Sequence, residues 1–351
     1  MQFLPKKKGL DEKLDSIIRE MKKANNGNSL YVRAGVYPDS MGLVETSLAC
    51  DRAKFACEAD KNENKSYYTY FDNNMLDQEI KKQYVVNNID RAIEENWITA
   101  FYQPIVRATN GKVCDEEALV RWIDPERGML SPADFIPILE ETRLIYKVDL
   151  RMVDIIIERI KKQQQAGLPV VPLSVNLSRI DIYDPNLETN FMKLIHDNGL
   201  KPTDIMLEVT ESAYTDNSDQ IIQVVESLRS KGFFIEMDDF GSGYSSLNML
   251  SELPIDALKL DMKFIRNIAK NDKALHMVEL MMEIAEFLKV SVVAEGVETE
   301  EQCQLLKKMK CDVIQGFYFS KPLPPEEFKL LIEKEVKARD SEAKEIGYVN
   351  C

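Results

Sequence analysis

Residues 98–121 read ITAFYQPIVRATNGKVCDEEALVR, and this stretch decides how the rest of the chain can fold. Two apolar, β-rich segments, 98–106 and 113–121, are separated only by the turn around Asn110-Gly111. A parallel crossover needs about a dozen residues, whereas Asn-Gly is typical of a tight hairpin. We therefore predict that these two strands are antiparallel neighbours.

Six further strands follow, and helices separate them. We predict the strands at 171–177, 205–209, 233–238, 256–261, 290–295 and 313–317, and the helices near 132–141, 149–166, 187–198, 218–231, 245–252, 272–288, 299–309 and 325–338. Eight strands alternating with helices over about 250 residues predict an α/β fold, a (β/α)8 TIM-like barrel with an antiparallel first strand. A doubly wound open sheet is the alternative, but the chain has no Gly-rich phosphate loop to favour it.

The first 85 residues differ in character, because large apolar side chains are few there. We predict a small α/β subdomain with a thin core in this region. Its elements are a helix over 10–24, a strand over 30–36, a helix over 44–58 and a strand over 67–71. We divide the chain into the subdomain 1–85, the barrel 86–340 and a polar tail 341–351.

Composition excludes several classes of protein. The 351 residues carry 45 Lys and Arg against 59 Asp and Glu, and a net charge of −14 argues against binding to duplex nucleic acid. Six cysteines without a C-x-x-C pair, and two histidines without zinc spacing, predict reduced thiols and a cytoplasmic location. No apolar run approaches the length of a membrane span, and we do not expect the first residues to act as a signal peptide, because no apolar segment follows their charges. A longer protein containing this chain would still have room for a membrane anchor before residue 1.

Polar side chains interrupt the predicted barrel strands near their C-terminal ends. Buried parallel strands are normally apolar, and carboxylates converging at one barrel mouth would repel one another unless cations neutralise them. The candidate metal ligands are carboxylates and one Asn amide, so all of them offer oxygen atoms, which select Mg²⁺, Mn²⁺ or Ca²⁺. The adjacent aspartates suit two ions about 3.5–4 Å apart. These polar residues are Glu117, Asn176, Glu208, Asp238, Asp239, Lys259, Asp261, Glu295 and Gln315.

Each of these residues has an ordinary structural explanation when it is taken alone. Asp239 could cap a turn, Lys259 could be a plain ion-pair partner, and Asn176 could cap the loop that follows it. Glu298 would then be a first-turn acid that suits the helix dipole. These explanations do not account for polar side chains recurring at the same end of successive strands. The pattern therefore predicts an active site at the barrel mouth.

The same residues lie in seven sequence motifs that occur in a fixed order. Together, over about residues 87–338, they resemble those of the EAL-domain cyclic di-GMP phosphodiesterases. The resemblance implies a barrel with an antiparallel first strand, and hydrolysis of cyclic di-GMP to linear pGpG. The motifs are Glu117-Ala-Leu-Val-Arg121, Ser174-Val-Asn-Leu-Ser178, Leu207-Glu-Val-Thr-Glu211, Asp238-Asp-Phe-Gly-Ser-Gly-Tyr-Ser-Ser-Leu247, Lys259-Leu-Asp261, Val293-Ala-Glu-Gly-Val-Glu298 and Gln315-Gly-Phe-Tyr-Phe-Ser-Lys-Pro322.

The resemblance also implies a role for each residue. Two divalent cations, Mg²⁺ or Mn²⁺, are implied, and Ca²⁺ is expected to bind and inhibit. Lys259 would orient or help deprotonate the attacking water. A homodimer is implied through the loop and helix after Asp239. The metal ligands would be Glu117, Asn176, Glu208, Asp238, Asp239 and Glu295; the catalytic set Lys259, Glu295, Glu117, Asp238 and Gln315; the substrate-binding set Arg121, Gln315 and Asp261; and the loop-bracing pair Glu211 and Glu298.

The N-terminal region has a looser likeness. Segments 33–37, 48–57 and 67–71 resemble the C-terminal half of a GGDEF diguanylate cyclase domain, but the chain contains no GGDEF motif. We therefore expect no cyclase activity, and a small docking subdomain is the alternative.

Two other functions stay open for the barrel. One is a non-catalytic cyclic di-GMP receptor that signals through partners. The other is a metal barrel that acts on a different phosphodiester or on a sugar. A two-carboxylate sugar hydrolase would not explain Asn176, Lys259 or the doubled aspartate.

Overall fold

The computed structural model describes residues 7–24, 32–59, 67–168, 170–177, 182–215, 218–241 and 253–349. The chain forms two compact units, Met1–Asn87 and Asn88–Cys351. Each unit is described by itself.

The first unit is a small α/β arrangement. Its strands β1 (Arg33–Val36) and β2 (Tyr67–Tyr70) pair in parallel, and its helices are α1 (Lys7–Ala24), α2 (Thr46–Ala59) and the first part of α3 (Asn73–Glu94). Gly35 lies so close to α2 that an added Cβ would stand 1.6 Å from the carbonyl oxygen of Ala53. The strand therefore packs on the helix only because this position has no side chain.

The second unit is built on a closed barrel. Strand β3 pairs antiparallel with both β4 and β11, and every other barrel pair is parallel, so the predicted barrel with an antiparallel first strand is confirmed. A short ninth strand, β5 (Gly128–Leu130), extends β4 outside the barrel. The eight barrel strands are β3 (Ile98–Arg107), β4 (Val113–Asp124), β6 (Leu173–Leu177), β7 (Ile205–Thr210), β8 (Phe234–Phe240), β9 (Ala257–Leu260), β10 (Ser291–Ala294) and β11 (Val313–Gln315).

Helices cover the outside of the barrel. The described helices of this unit are α4 (Pro132–Glu141), α5 (Ile145–Gln165), α6 (Leu187–Asp197), α7 (Ser218–Ser230), α8 (Met262–Ile265), α9 (Asp272–Leu288), α10 (Glu300–Lys308) and α11 (Pro325–Val349). In the described part of the chain no helix is both long and apolar enough to cross a membrane.

Some helices differ from the sequence prediction. Helix α11 continues to Val349 rather than ending at 338, because no Gly or Pro occurs between Pro325 and Gly347 to stop it. Helices α3 and α8 and strand β5 were not predicted. Val85, Ile89 and Ile93, which recur every four residues, would have indicated the second half of α3. The helix predicted over 245–252 lies outside the described residues.

The strand register brings the polar side chains to one rim of the barrel. Asn176 lies opposite Glu208, Thr210 lies opposite Asp238, and Gln103 lies opposite Glu117. Successive strand residues point to opposite faces, so Glu117 faces the interior whereas Glu116 faces the helices. The parallel strands therefore present their C-terminal ends, and the residues near them, at one mouth.

Candidate active site

Lys259 lies at the centre of the barrel mouth. Its side chain is 1% exposed, and its Nζ atom is 2.8 Å from Glu208 Oε1 and 2.9 Å from Glu295 Oε1. Glu117 Oε2 and Asp238 Oδ1 are each 3.7 Å away. One ammonium group therefore stands among four carboxylates that come from four different strands or strand ends.

The electrostatics of this cluster are unbalanced. Burial disfavours the charge on Lys259, but attraction to Glu117, Glu208, Glu295 and Asp238 outweighs burial and raises its pKa well above the usual range. Burial also raises the pKa of Glu208 well above the usual range, and raises that of Glu295 to about 8. A single positive charge cannot neutralise four carboxylates, so the cluster is predisposed to take up protons or cations.

Gln315 connects Glu117 to the first barrel strand. Its Nε2 atom donates a hydrogen bond to Glu117 Oε2 and lies 3.2 Å from Gln103 Oε1. Gln103 in turn donates to the backbone oxygen of Ser320, at 3.1 Å. Gln103 was not identified from the sequence, although a Gln in an otherwise apolar buried strand was the available signal.

The chain after β8 is held by Glu211. This residue begins a short 3-10 turn after β7, is 1% exposed, and accepts a hydrogen bond of 2.7 Å from the amide of Gly241. Asp239 adopts a left-handed conformation with φ of 55°, which is uncommon for a non-glycine residue. The Asp239 amide donates a hydrogen bond of 2.8 Å to Asp238 Oδ1.

Asn176 and Arg121 line a cavity beside this cluster. The cavity has a volume of about 620 Å³, and Asp238, Asp239 and Thr210 also line it. The Arg121 guanidinium stands 5.3 Å from the centre of the Phe101 ring, and burial lowers its pKa from the ordinary value. The cavity is large enough for a small-molecule ligand.

Two of the predicted site residues lie apart from the carboxylate cluster. Asp261 caps α8 by accepting a hydrogen bond of 2.7 Å from the amide of Lys263. Glu298 is exposed and precedes Thr299, the N-cap of α10, so it is not the first-turn acid of that helix. Its amide donates to Gln302 Oε1 at 2.8 Å. The substrate role of Asp261 and the bracing role of Glu298 stay predictions.

The donor set fits a hard divalent cation. Glu208 Oε2 and Gln315 Oε1 are buried and have no hydrogen-bond partner among the described residues, and the predicted ligand atoms of the site are all oxygen atoms. In the described part of the chain, no three acidic, histidine or cysteine side chains are already arranged around one point for a metal ion. The Lys259 ammonium lies among the carboxylates, so metal binding would require them to move relative to it.

A second polar layer lies deeper in the barrel and was not identified from the sequence. Asp115 and Glu236 are 6% and 1% exposed, and Ser174 donates a hydrogen bond of 3.0 Å to Glu236 Oε2. Repulsion from Glu236 adds to burial in raising the pKa of Asp115 well above the usual range. The available signal in the sequence was a polar residue two positions before Glu117, which is Asp115, and two positions before Asp238, which is Glu236. Residues two apart on a strand lie on the same face.

Comparisons with known proteins agree with this architecture. The family model described as "EAL domain" matches residues 86–322. The bifunctional diguanylate cyclase/cyclic di-GMP phosphodiesterase MucR of Pseudomonas aeruginosa is 30% identical over 300 residues, which are 85% of this chain and 43% of MucR. The cyclic di-GMP phosphodiesterase NbdA of the same organism is 32% identical over 86% of this chain and 37% of its own length. The chain thus spans less than half the length of these relatives.

Solved structures are similar over the barrel. A structure described as the PaMucR phosphodiesterase in complex with c-di-GMP matches 70% of this chain and 99% of that chain, with 33% identity and a TM-score of 0.66. An EAL domain protein from Listeria monocytogenes EGD-e matches 70% of this chain and 96% of its own, with 32% identity and a TM-score of 0.60. The family model covers more than half of the sequence, and the chain belongs to the EAL domain family.

Proposed function

We propose that this chain hydrolyses cyclic di-GMP to linear pGpG in a reaction that depends on divalent cations. The observation that carries the proposal is the cluster of four carboxylates around Lys259 at the barrel mouth. Relatives named as cyclic di-GMP phosphodiesterases, and a similar structure with c-di-GMP bound, support the choice of substrate. The adjoining cavity of about 620 Å³ offers room for such a ligand.

The residues of the chain divide the work by their chemistry. Arg121 lines the cavity, and a guanidinium group suits a phosphate oxygen. Lys259 is held as an ammonium by its four neighbours, so it would orient the attacking water and offset charge on the phosphate. A role of Lys259 in accepting the proton requires that bound cations first lower its pKa. Gln315 would hold Glu117 in place through its Nε2 atom.

We assign the cations to the oxygen donors of the mouth. Glu117, Asn176, Glu208 and Asp238 would hold one ion, and Asp238, Asp239 and Glu295 the second. When bound, two such ions lower the pKa of water and offset the negative charge on the phosphate. Mg²⁺ and Mn²⁺ are the proposed ions, and Ca²⁺, which prefers longer bonds and more ligands, is proposed to inhibit.

The test is to incubate the purified chain with cyclic di-GMP in Mg²⁺, in Mn²⁺, in Ca²⁺ and in EDTA, and to separate the nucleotides by chromatography. We expect pGpG in Mg²⁺ and Mn²⁺ only. Intact cyclic di-GMP in every condition, with binding still detectable, would favour the alternative of a non-catalytic receptor. Absence of both hydrolysis and binding would contradict both functions.

The region before the barrel is proposed to be a remnant of a GGDEF domain. The alignment with MucR covers 85% of this chain, more than the share that Asn88–Cys351 makes up, so it reaches into the first unit. Because the chain lacks the GGDEF motif, incubation with GTP and Mg²⁺ should yield no cyclic di-GMP. The divisions at 85 and 340 and the cytoplasmic location stay predictions.

A homodimer is also proposed, through the loop and helix after Asp239. Residues 242–252, which include Ser242 and Gly243 and most of that segment, lie outside the described residues. Sedimentation of the full chain at micromolar concentration tests the proposal, and a monomer at all concentrations would contradict it.

A further inference from the structure

The outer face of strand β4 carries a charge where barrel strands are normally apolar. Glu116 is fully buried, and it follows Asp115 and precedes Glu117. Neighbouring strand residues point to opposite faces, so Glu116 points out of the barrel whereas the next residue, Glu117, points into it. A buried carboxylate is costly unless it is paired and hydrogen-bonded.

Arg159 of α5 pairs with Glu116 through two parallel hydrogen bonds. Its Nη2 atom is 2.7 Å from Glu116 Oε2, and its Nε atom is 3.2 Å from Glu116 Oε1. Gln163, one turn further along α5, donates to Oε1 at 3.3 Å. A bidentate guanidinium–carboxylate pair has a fixed geometry. This contact therefore sets both the distance between β4 and α5 and the position of β4 along the helix.

The same guanidinium is also held by two aromatic rings. Its Cζ atom is 3.9 Å from the centre of the Tyr102 ring on β3 and 4.9 Å from that of Phe328 on α11. Tyr102 exchanges backbone hydrogen bonds of 2.8 Å with Leu323, just before α11. One buried side chain therefore contacts β3, β4 and α11 from α5.

The front of this strand pair carries the catalytic mouth. Tyr102 and Glu116 are each followed by an inward residue, Gln103 and Glu117, and these two are cross-strand partners. Gln315 donates to both of them. The β3–β4 register shifts at a bulge between Ile105 and Val106, so the ladder alone does not hold the pair in a regular register throughout.

We propose that Arg159 is a positioning residue: from outside the barrel it fixes the β3–β4 pair, and thereby places the Glu117 carboxylate for cation binding. The proposal rests on the proposed function only in taking Glu117 as a cation ligand. It adds a contact that reaches the site through the backbone of β4 rather than through the metal or the substrate.

The test is Mn²⁺ binding to the EDTA-stripped full chain, measured by calorimetry and by electron paramagnetic resonance. Outer contacts that orient metal ligands typically cost about 10- to 100-fold in metal affinity when removed, so Arg159→Met should weaken Mn²⁺ binding by about tenfold or more. Arg159→Lys keeps the charge without the bidentate geometry, so its Mn²⁺ affinity should lie between those of wild type and Arg159→Met. Lys162→Met is the matched control, because Lys162 lies on the same helix in an exposed pair with Glu158, and its affinity should equal that of wild type.

A second variant guards against a simple loss of folding. Arg159→Met leaves Glu116 buried without its partner, so the double variant Glu116→Leu with Arg159→Met removes both charges and should fold. We expect this folded double variant to bind Mn²⁺ as weakly as Arg159→Met does. Wild-type affinity in either folded variant would overturn the proposal, because the pair would then only fill space.

Hydrolysis of cyclic di-GMP separates this proposal from the proposed function. In the variants, the Mn²⁺ concentration for half-maximal rate should rise in step with the binding constant, while KM for cyclic di-GMP at saturating Mn²⁺ stays unchanged. A wild-type chain that binds Mn²⁺ but hydrolyses nothing would refute the function and leave the binding comparison decisive. A wild-type chain that binds no Mn²⁺ would overturn both.

Discussion

At the scale of the residue, Lys259 and its four acidic neighbours decide the behaviour of the barrel mouth. The single positive charge of Lys259 Nζ stands within 4 Å of four carboxylates. Without bound protons or cations the four carboxylates are therefore poorly neutralised. Because of this charge imbalance, we expect the stability and activity of the site to depend on pH and to change when one of its carboxylates is replaced.

Glu117→Ala should abolish hydrolysis while the barrel stays folded. The substitution removes a proposed cation ligand, and it also removes one of the mutually repelling carboxylates. We expect a loss of at least about a hundredfold in kcat, as for removal of a group that stabilises the transition state, with an unchanged circular dichroism spectrum. Glu158→Ala, which removes an exposed carboxylate from α5, is the control and should keep full activity. A near wild-type rate in Glu117→Ala would refute the ligand assignment.

In EDTA, the free energy of unfolding should fall as pH rises through about 8. Burial, and repulsion by Asp238 and Glu117, raise the pKa of Glu295 to about 8 in the folded chain. The folded state therefore binds this proton more tightly than the unfolded state, and the stability it brings is lost as pH rises through the folded pKa. Urea unfolding at pH 6 and pH 9 measures this, and Glu295→Gln should flatten the dependence. An equal slope in wild type and variant would contradict it.

At the scale of the element, the strand ends and their loops are placed by close backbone contacts. Glu211 holds Gly241 at the end of β8. Gly316, next to Gln315, lies so near Val297 that an added Cβ would stand 2.1 Å from its carbonyl oxygen. Each contact fixes the backbone that carries predicted site residues.

Glu211→Gln should lower turnover by loosening the chain after Asp239. The amide side chain is a weaker acceptor than a carboxylate for the Gly241 amide, and a buried hydrogen bond is worth about 1 kcal/mol, so we expect roughly a fivefold to tenfold loss of kcat at saturating metal. Asp204→Asn is the matched control, because Asp204 accepts from the Lys201 amide at the opposite end of β7. Equal activity in wild type and Glu211→Gln would remove the bracing role.

Gly316→Ala should reduce both stability and activity. Its Cβ would meet backbone atoms of Val297 that cannot rotate away, so β11 and the loop after Glu295 must separate. We expect a loss of about 1–3 kcal/mol in the free energy of unfolding, as for overpacking elsewhere, and a lower kcat. Gly9→Ala in α1, where the added Cβ meets nothing within 4 Å, should instead be neutral or stabilising. Similar effects at the two positions would contradict the argument.

At the scale of the whole molecule, the chain combines two compact units of different construction. Among the described residues, the first unit has a two-stranded sheet and few buried apolar side chains, whereas the barrel unit has a closed sheet and most of the buried apolar side chains. The proposed cation site lies within the barrel unit, so a bound ion should stabilise that unit.

Mn²⁺ should raise the melting temperature of the transition in which the barrel unit unfolds. A ligand that binds only the folded state at 100 times its Kd stabilises it by about 2.7 kcal/mol. Scanning calorimetry with Mn²⁺ and with EDTA measures the shift. Glu117→Ala should remove most of the shift, whereas an equal shift in that variant would place the stabilising ion elsewhere.

The sequence by itself determined the barrel, its antiparallel first strand and the family. The Asn110-Gly111 turn is too short for a crossover, and the polar residues at successive strand ends are visible without coordinates. The spacing of one residue type along a strand or a turn is local information, and local information is what a sequence displays directly.

Only the tertiary structure decided how those residues meet. Three contacts of the site join elements that are far apart in sequence. Lys259 stands among four carboxylates, Gln103 contacts Gln315, and Arg159 pairs with Glu116 behind the site. These contacts are fixed by barrel closure and strand register, because a shift of one residue along a strand would turn each side chain to the opposite face.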